Sequence, residues 1–374
     1  MDRIEDVWPD PVPATSASQV CRTSCLLCTD MTTSCIHCWY ALSMKQATAS
    51  RFLFVVLVVI LFVGVRIDQG SPLTYSATSP HNRIGVYLTS YAVGKDGVID
   101  GVMDAVRAGK LNAVVINVKN MHGEITYASS VPLAVKINAA TDRLDMASVV
   151  RSLQASGVYV IARQVLFYDP KLASYLGKSD PWIDPDNKVA VTYNLQIAQE
   201  VASLGVDEIQ FDYARYADGG TLTPIYDARY AAVNSFLAAA RRLLNGRVEM
   251  SVDVFGRVLW DWNKKGIDPI GQSLEGIAPH VDFISPMLYP SHYSEQRYKD
   301  DPYGVVKEAL TLGEERVKTP FRPFLQAFDR YIPTGMTMED YIRNQVRAAK
   351  EVGVDGYLFW NPSCDYAALY RALE

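Results

Sequence analysis

The feature that most constrains this chain is an alternation of strand-like and helix-like segments from about residue 83 to the end. Eight short apolar segments are separated by longer segments in which apolar residues have a helical spacing. Two of the predicted helices, Tyr226–Leu244 and Met338–Val352, are followed closely by a glycine, which favours a helix end. The predicted strands are Ile84–Leu88, Ala113–Val118, Val158–Arg163, Glu208–Asp212, Glu249–Val254, Phe283–Met287, Phe321–Gln326 and Gly356–Phe359.

Eight strand–helix units predict an α/β fold, a (β/α)8 TIM barrel over residues 83–374, because such barrels typically contain ~250 residues. A doubly wound open sheet is the competing architecture, but no Gly-x-Gly-x-x-Gly turn follows the first strand. Apolar residues make up 49% of the chain, which is enough for a sizeable core. The net charge of −5 gives no support for a nucleic-acid partner, which usually requires a basic patch.

The residues before the barrel resemble a targeting region. Phe52–Val65 is a stretch of 14 uncharged and almost wholly apolar residues between Arg51 and Arg66. It matches the core of a secretory signal and is shorter than the ~20 residues of a comfortable membrane span. We therefore divide this region into a leader (1–43), a signal peptide or signal-anchor (44–67) and a linker (68–82). An exported protein of the cell envelope is expected, either secreted or held at the membrane by an uncleaved segment.

Most of the cysteines lie in the leader. Cys25 and Cys28 form one closely spaced pair and Cys35 and Cys38 form another, as zinc ligands often do. The gap between the pairs is much shorter than the ~15–20 residues of common zinc ribbons. We therefore favour a disordered leader or a mis-assigned start, since Met44 would itself open a normal signal peptide, and keep zinc as the alternative.

Polar side chains cluster at the carboxyl ends of the predicted strands, where barrel enzymes place their active sites. Asp212 ends the fourth strand and Asp253 lies at a corresponding depth on the fifth. A carboxylate is costly to bury in an apolar strand unless something pairs with it or uses it. This pattern makes Asp212 the first candidate for chemistry, although an ion pair with Arg215 is a purely structural alternative, as is a loop cap for Asp253.

Two carboxylates at the mouth of a barrel are what glycoside hydrolysis requires, one as acid and one as nucleophile or base. Arg163 near Asp212 would hold that carboxylate ionised, as a nucleophile requires. Asp253 is then one candidate for the acid, and Glu124, in the loop after the second strand, is the other. The candidate substrate-binding residues are Tyr87, Asn117, Lys119, His122, Arg163, Gln210, Arg215, Tyr289, Gln326 and Trp360.

The sequence contains no motif for metal-dependent, phosphate-binding or serine-nucleophile chemistry. The five histidines are scattered, without the clustered ligands of metal-dependent barrels, so no metal or other cofactor is expected. No P-loop and no Gly-x-Ser-x-Gly elbow occurs. A non-catalytic carbohydrate-binding barrel remains the main alternative, and a metal-dependent envelope enzyme such as a deacetylase is a weaker one.

Six segments of the chain together resemble a known family, the glycoside-hydrolase-like barrel domains of the DUF4015 type. The resemblance spans about residues 83–374, and the Glu-Ile-Gln-Phe-Asp-Tyr-x-Arg stretch is its most specific part. It implies a barrel related to glycosidases, with the fourth-strand Asp212 as nucleophile and a carbohydrate as substrate. Many such barrels have a glutamate acid after the fourth or fifth strand, where this chain has Asp253. The six segments are Ile84–Leu88, Asn117–Lys119, Asp207–Tyr216, Ser251–Gly256, Asp282–Pro290 and Gly356–Asn361.

Overall fold

A computed structural model describes residues 79–95 and 97–374, and these residues form a closed barrel of eight parallel strands. Neighbouring strands pair in chain order and β8 closes the barrel against β1. The predicted TIM barrel is therefore confirmed. The strands are β1 (Arg83–Leu88), β2 (Ala113–Lys119), β3 (Tyr159–Val165), β4 (Glu208–Asp212), β5 (Glu249–Phe255), β6 (Phe283–Leu288), β7 (Phe324–Gln326) and β8 (Gly356–Trp360).

Helices follow the strands and cover the outside of the barrel, as parallel sheets require. The predicted helix at Met338–Val352 has those bounds, and the one predicted from Tyr226 begins at Asp227, with Tyr226 at the N-cap position. The helices are α1 (Ser90–Val93), α2 (Val98–Arg107), α3 (Pro132–Lys136), α4 (Met146–Ala155), α5 (Pro170–Tyr175), α6 (Lys188–Ser203), α7 (Asp227–Leu244), α8 (Leu274–Ile277), α9 (Gln296–Asp300), α10 (Pro302–Arg316), α11 (Met338–Val352) and α12 (Ala367–Ala372).

The amino-terminal end of the barrel is closed by a buried charge pair. Arg322 donates to Glu208 Oε2 at 2.7 Å, and both side chains are fully buried. The hydroxyls of Ser251 and Tyr159 donate to the two Glu208 oxygens at 2.5 and 3.1 Å. Both oxygens of the carboxylate thus have partners, and this layer of side chains fills the amino-terminal end of the barrel.

Strand bounds differ from the predicted ones where the backbone departs from ideal geometry. The register between β2 and β3 shifts between Asn117 and Lys119, which marks a β-bulge. The seventh strand begins at Phe324 rather than Phe321, because Pro323 has no N–H for the ladder. Phe321 forms an isolated bridge with Ile284, in which the Ile284 amide donates to the Pro320 carbonyl and the Arg322 amide donates to the Ile284 carbonyl. The leader, the apolar stretch and most of the linker lie outside the described residues, and no helix in the described part of the chain is long and apolar enough to cross a membrane.

Candidate active site

A cleft of about 890 Å³ opens at the carboxyl end of the barrel. Every strand contributes one side chain to it, so the cleft lies over the barrel axis. Alternation along each strand turns these side chains inward, and most of them lie near the carboxyl ends of the strands, where the sequence predicts the site. From β1 to β8 they are Tyr87, Asn117, Arg163, Asp212, Asp253, Met287, Phe324 and Trp360.

Asp212 is held by an arginine from the neighbouring strand. Arg163 Nε donates to Asp212 Oδ2 at 3.0 Å, and a second guanidinium nitrogen donates to the same oxygen. Burial lowers the pKa of Arg163, but Asp212 together with Tyr87, Asp253 and Tyr213 outweighs burial and raises the pKa above its ordinary value. Arg163 also donates to Asn117 Oδ1 at 2.6 Å, and Asn117 donates to the Tyr87 hydroxyl at 2.6 Å. This chain of contacts fixes the guanidinium, so Asp212 faces a permanent positive charge.

Asp253 lies beside Asp212 in a different environment. Its Oδ2 is 3.9 Å from Arg163 Nε, too far for a hydrogen bond, and its side chain is almost fully buried. Burial raises the pKa of Asp253 well above its ordinary value, and the charge of Asp212 and a hydrogen bond between the two carboxyls raise it further. Two carboxyls in contact cannot both ionise readily. Asp253 is therefore the member of the pair that keeps its proton.

One oxygen of Asp253 is still available for a ligand. Asp253 Oδ1 is buried and has no hydrogen-bond partner among the described residues. Such orphaned polar atoms are a small minority in folded proteins, and in the lining of a cleft a ligand can supply the missing hydrogen bond. Asp212, by contrast, receives hydrogen bonds at both oxygens, because the Tyr213 amide donates to its Oδ1 at 2.6 Å. The two acids thus differ in charge and in hydrogen bonding.

The backbone turns sharply just after Asp212. Tyr213 has a φ of 53°, in the left-handed region that bulky residues rarely adopt. This conformation lets the Tyr213 amide point back to the Asp212 carboxylate while the ring enters the cleft. Strained residues of this kind cluster at functional sites.

Aromatic rings line two opposite walls of the cleft. On one wall Tyr87 and Trp360 stack with centroids 3.8 Å apart and planes at 22°. On the other wall the rings of Tyr168, Trp182 and Tyr213 form a triangle with centroid distances of 5.2 to 5.7 Å. We call these three rings the aromatic cluster. Strand β8 lies opposite β4 in an eight-stranded barrel, so Trp360 and the aromatic cluster lie on opposite sides of the barrel axis, with Asp212 next to the cluster.

The aromatic cluster was not predicted from the sequence as a group. Tyr168 comes shortly after β3, which ends at Val165, and the apolar run Val165–Phe167 before it was the available signal. Trp182 comes from further along the same loop, where residues 167–169 pair with residues 181–183. Nothing in the sequence indicates that pairing, because it depends on how the loop folds back across the mouth.

Glu124, the rival acid, does not line the cleft. Its carboxylate accepts from Asn120 at 3.1 Å and pairs with Arg143 at 3.3 Å. Partial burial raises its pKa, but these two partners outweigh burial and lower it. A carboxylate held ionised is a poor proton donor, so Glu124 does not have the properties expected of the acid.

Lys119 is placed differently from the prediction, which expected it in the mouth. The β-bulge before it pairs Lys119 with Gln164, so its side chain points outward toward α6. There it is fully buried and pairs with Asp169 at 2.8 Å, while Asn194 Oδ1 and the Leu166 carbonyl accept from it at 3.1 and 3.3 Å. Lys119 is therefore a structural residue of the wall and does not reach a ligand.

Gln210 and Gln326 also lie outside the cleft lining, although both were predicted to bind substrate. Gln210 points inward but sits one layer below, where it donates to Ser285 Oγ at 3.2 Å. The side-chain oxygen Oε1 of Gln326 accepts from the Ser291 amide and the Tyr341 hydroxyl at 3.2 and 3.0 Å. Their hydrogen bonds are used to hold the barrel and its loops.

The remaining predicted residues His122, Arg215 and Tyr289 do line the cleft. Arg215 is buried among rings, with its guanidinium carbon 4.4 Å from the Trp182 centroid and 4.5 Å from that of Phe255. Burial lowers its pKa to about 10. Burial and the nearby Asp253 raise the pKa of the Tyr289 phenol well above its ordinary value. Over the described ranges, no group of three or more His, Cys, Asp or Glu side chains is placed to hold a metal ion.

Comparison with known families assigns the chain. Residues 85–366 match the family described as "Putative glycosyl hydrolase domain" (DUF4015), which is more than half of the sequence. The chain belongs to this family. The resemblance drawn from the sequence motifs is therefore confirmed, and the matched region covers all eight strands except the first residues of β1. No curated protein matches the sequence.

Solved structures share the fold of this DUF4015 domain at low sequence identity. The PgaB (BpsB) glycoside hydrolase domain from Bordetella bronchiseptica is 15% identical with a TM-score of 0.58, covering 78% of this chain and 97% of that one. The endo-1,4-beta-mannanase from Rhizomucor miehei is 10% identical with a TM-score of 0.53, covering 76% and 88%. The spore cortex-lytic enzyme SleL from Bacillus cereus is 12% identical with a TM-score of 0.52, covering 78% and 74%.

Proposed function

We propose that this DUF4015 domain is a glycoside hydrolase in which Asp253 is the acid and Asp212 the nucleophile. The observation that carries the proposal is a pair of buried carboxyls with unequal environments: Arg163 bonds to Asp212, whereas Asp253 lies beyond hydrogen-bond distance of Arg163 and has an unpartnered Oδ1. Burial and the neighbouring charge raise the pKa of Asp253, which favours its protonated form. Glycosidases need two carboxyl groups whose pKa values are pushed apart in this way. The family description and the three fold relatives point to the same chemistry.

In the proposed reaction the hydrogen bond between the two carboxyls opens when substrate enters. The glycosidic oxygen takes the place of Asp212 as the acceptor of the Asp253 proton, and the bond to the leaving sugar breaks as that proton is transferred. Asp212 attacks the anomeric carbon and forms a covalent glycosyl-enzyme. Asp253, now ionised, then takes a proton from the water that releases the sugar.

We infer retention of configuration from the contact between the two carboxyls. Inverting enzymes hold their carboxyl groups ~6.5–9.5 Å apart to leave room for a water, and retaining enzymes hold them ~5–5.5 Å apart. Carboxyls that share a hydrogen bond are too close to leave that room. Proton NMR of the first product formed from an oligosaccharide would read the anomeric configuration directly.

A non-catalytic carbohydrate-binding barrel is the second candidate. It keeps the aromatic walls but needs no acid near Asp212, and the presence of Asp253 in hydrogen-bond contact counts against it. Release of reducing sugar from a panel of polysaccharides should be compared for the wild type and Asp212→Asn. We expect activity in the wild type alone. Equal activity in both would contradict the role of Asp212, and binding without turnover across the panel would favour the second candidate.

The place of action is a further part of the proposal. We infer export to the cell envelope or beyond, on the basis of the apolar stretch Phe52–Val65 with its basic flanks. An envelope or extracellular polysaccharide would then be the substrate. Fractionation of cells that express the full chain, with and without residues 52–65, tests this inference. Retention of both forms in the cytoplasmic fraction would contradict it.

A further inference from the structure

We propose that the aromatic cluster of Tyr168, Trp182 and Tyr213 is a binding subsite for one sugar ring of an oligosaccharide. The inference rests on the proposed function in one respect, that the ligand is a carbohydrate. It adds that the substrate is a chain of at least two sugars, which lies across the carboxyl pair with one ring on each wall.

The first support is the position of the cluster. Tyr213 follows Asp212 directly in the chain, so a sugar ring on the cluster lies next to the reacting carboxyl. Trp360 is partly exposed on the opposite wall, above Tyr87. A ligand that spans the cleft therefore meets the aromatic cluster beside Asp212 on one side of the barrel axis and Trp360 on the other. Aromatic faces are suited to the apolar C–H faces of sugars, because they bury apolar area without leaving polar groups unpaired.

The second support is that the cluster is held rigid from behind. The Arg215 guanidinium carbon lies 4.4 Å from the Trp182 centroid and 5.2 Å from the Tyr213 centroid. Arg215 is itself buried and donates to the Tyr216 carbonyl at 3.0 Å. A cation stacked on a ring stabilises it in one position, and the ring loses little freedom when a ligand binds. Partly exposed rings with this support differ from rings that merely fill a core.

The third support is the buried charge pair that anchors the loop of Tyr168 and Trp182. Lys119 and Asp169 are both fully buried, and Asp169 is the residue immediately after Tyr168. Lys119 also donates to the Leu166 carbonyl, just after β3. The Asp169 amide donates to the Pro181 carbonyl at 2.9 Å, which places Trp182 beside Tyr168. Burying both charges of an ion pair costs desolvation free energy, so this anchor is unusual for a surface loop that has no function.

The test measures binding separately from turnover. Isothermal titration of the full-length protein would give the Kd for manno-, cello- and chito-oligosaccharides of two to six units. For the best-binding series we expect Trp182→Ala to raise the Kd of the longest oligosaccharide about tenfold or more, which is the effect of losing one good contact. Trp182→Phe should recover most of this affinity. Trp262→Ala removes a partly exposed tryptophan outside the cleft lining and serves as the matched control.

The outcomes separate the subsite from the catalytic proposal. The subsite is supported if the loss in Trp182→Ala grows with chain length while the melting temperature matches that of the wild type and of Trp262→Ala. It is overturned if Trp182→Ala binds every oligosaccharide like the wild type, or if the wild type binds none of them. Binding that is weakened by Trp182→Ala, without any hydrolysis, would support the subsite and contradict catalysis. Hydrolysis by a protein whose affinity is unchanged in Trp182→Ala would support catalysis and contradict the subsite.

Discussion

Strand β4 carries two buried carboxylates that point into the same barrel and differ in what surrounds them. Glu208, at the amino-terminal end, meets one arginine and two hydroxyls, and all of its oxygens are bonded. Asp212, four residues later, meets one arginine and a second carboxyl that has an unpartnered oxygen. The first arrangement is complete without a ligand. The second leaves Asp253 Oδ1 open for a hydrogen bond from a ligand.

The comparison shows how buried charge should be interpreted in a barrel. A carboxylate inside an apolar strand requires a partner, but the partner decides whether the result is structural or chemical. Lys119 with Asp169 is a third case, and it resembles the Glu208 pair because both charges are matched and fully buried. In the cleft, by contrast, Arg163 bonds to one of two adjacent carboxyls, and the second carboxyl, Asp253, lies beyond hydrogen-bond distance of it.

The largest expected effect is on activity at the cleft. Asp253→Asn should lower kcat by about 10²–10⁴-fold, the usual contribution of a general acid. Its stability should match or exceed that of the wild type at neutral pH. The folded-state pKa of Asp253 is raised, so its stability contribution is present at low pH and is lost as pH rises through that pKa. Reducing-sugar assays and thermal melts from low to neutral pH measure both effects.

Asp212→Asn is the matched control for that substitution. It should lose comparable activity but also lower the melting temperature, because Arg163 is left buried without its ionised partner. Equal stability changes in the two variants would contradict the assignment of charge within the pair.

The next effect is on stability at the opposite end of the barrel. Glu208→Gln should lower the unfolding free energy by about 3–5 kcal/mol, because it leaves Arg322 buried without a carboxylate. The kcat of the folded protein should stay near the wild-type value. The double variant Glu208→Gln with Arg322→Met should recover part of the loss, since both charges are then removed. A large drop in kcat for a folded single variant would break the comparison between the two ends.

The smallest effect concerns a half-buried acid at the amino-terminal end. Burial and a hydrogen bond with Asp282 raise the pKa of Glu249 to about 7. A raised carboxyl pKa means that stability is present below the ordinary value near 4.5 and is lost as pH rises to about 7. The melting temperature of Glu249→Gln should therefore rise relative to that of the wild type over that pH range. The difference should be no more than about 2 °C, because a partly exposed charge is screened. A melting-temperature difference that is flat with pH would contradict this pKa.

Much of this architecture follows from the sequence, because patterns along a strand are local. Alternation placed Asp212, Asp253, Arg163 and Asn117 correctly on the inner face, since these strands keep an ideal repeat there. It misplaced Lys119, because the β-bulge beside Asn117 inserts one residue and reverses the face. The depth of a side chain along the barrel axis could not be predicted either. Gln210 is on the predicted face but lies one layer below the cleft, because periodicity along a strand does not report depth.

The parts that could not be predicted depend on contacts between distant segments. Trp182 reaches the cleft through a loop that folds back on residue 168. The choice between Asp253 and Glu124 as the acid depends on which of them meets an arginine in space. Both questions concern the tertiary placement of side chains, which local patterns along the sequence do not reveal.

The most direct test of the account is the protonation state of Asp253 itself. Carbon-13 NMR of the full-length protein, with aspartate labelled at the carboxyl carbon, follows each acid through a pH titration. At about pH 6, roughly two units above the ordinary aspartate pKa of ~4, we expect one protonated resonance that is absent from Asp253→Asn. In Asp212→Asn this resonance should titrate at lower pH, because the neighbouring charge is gone. If all aspartates are ionised by about pH 5 in the wild type, Asp253 is not the stored acid and the central claim is wrong.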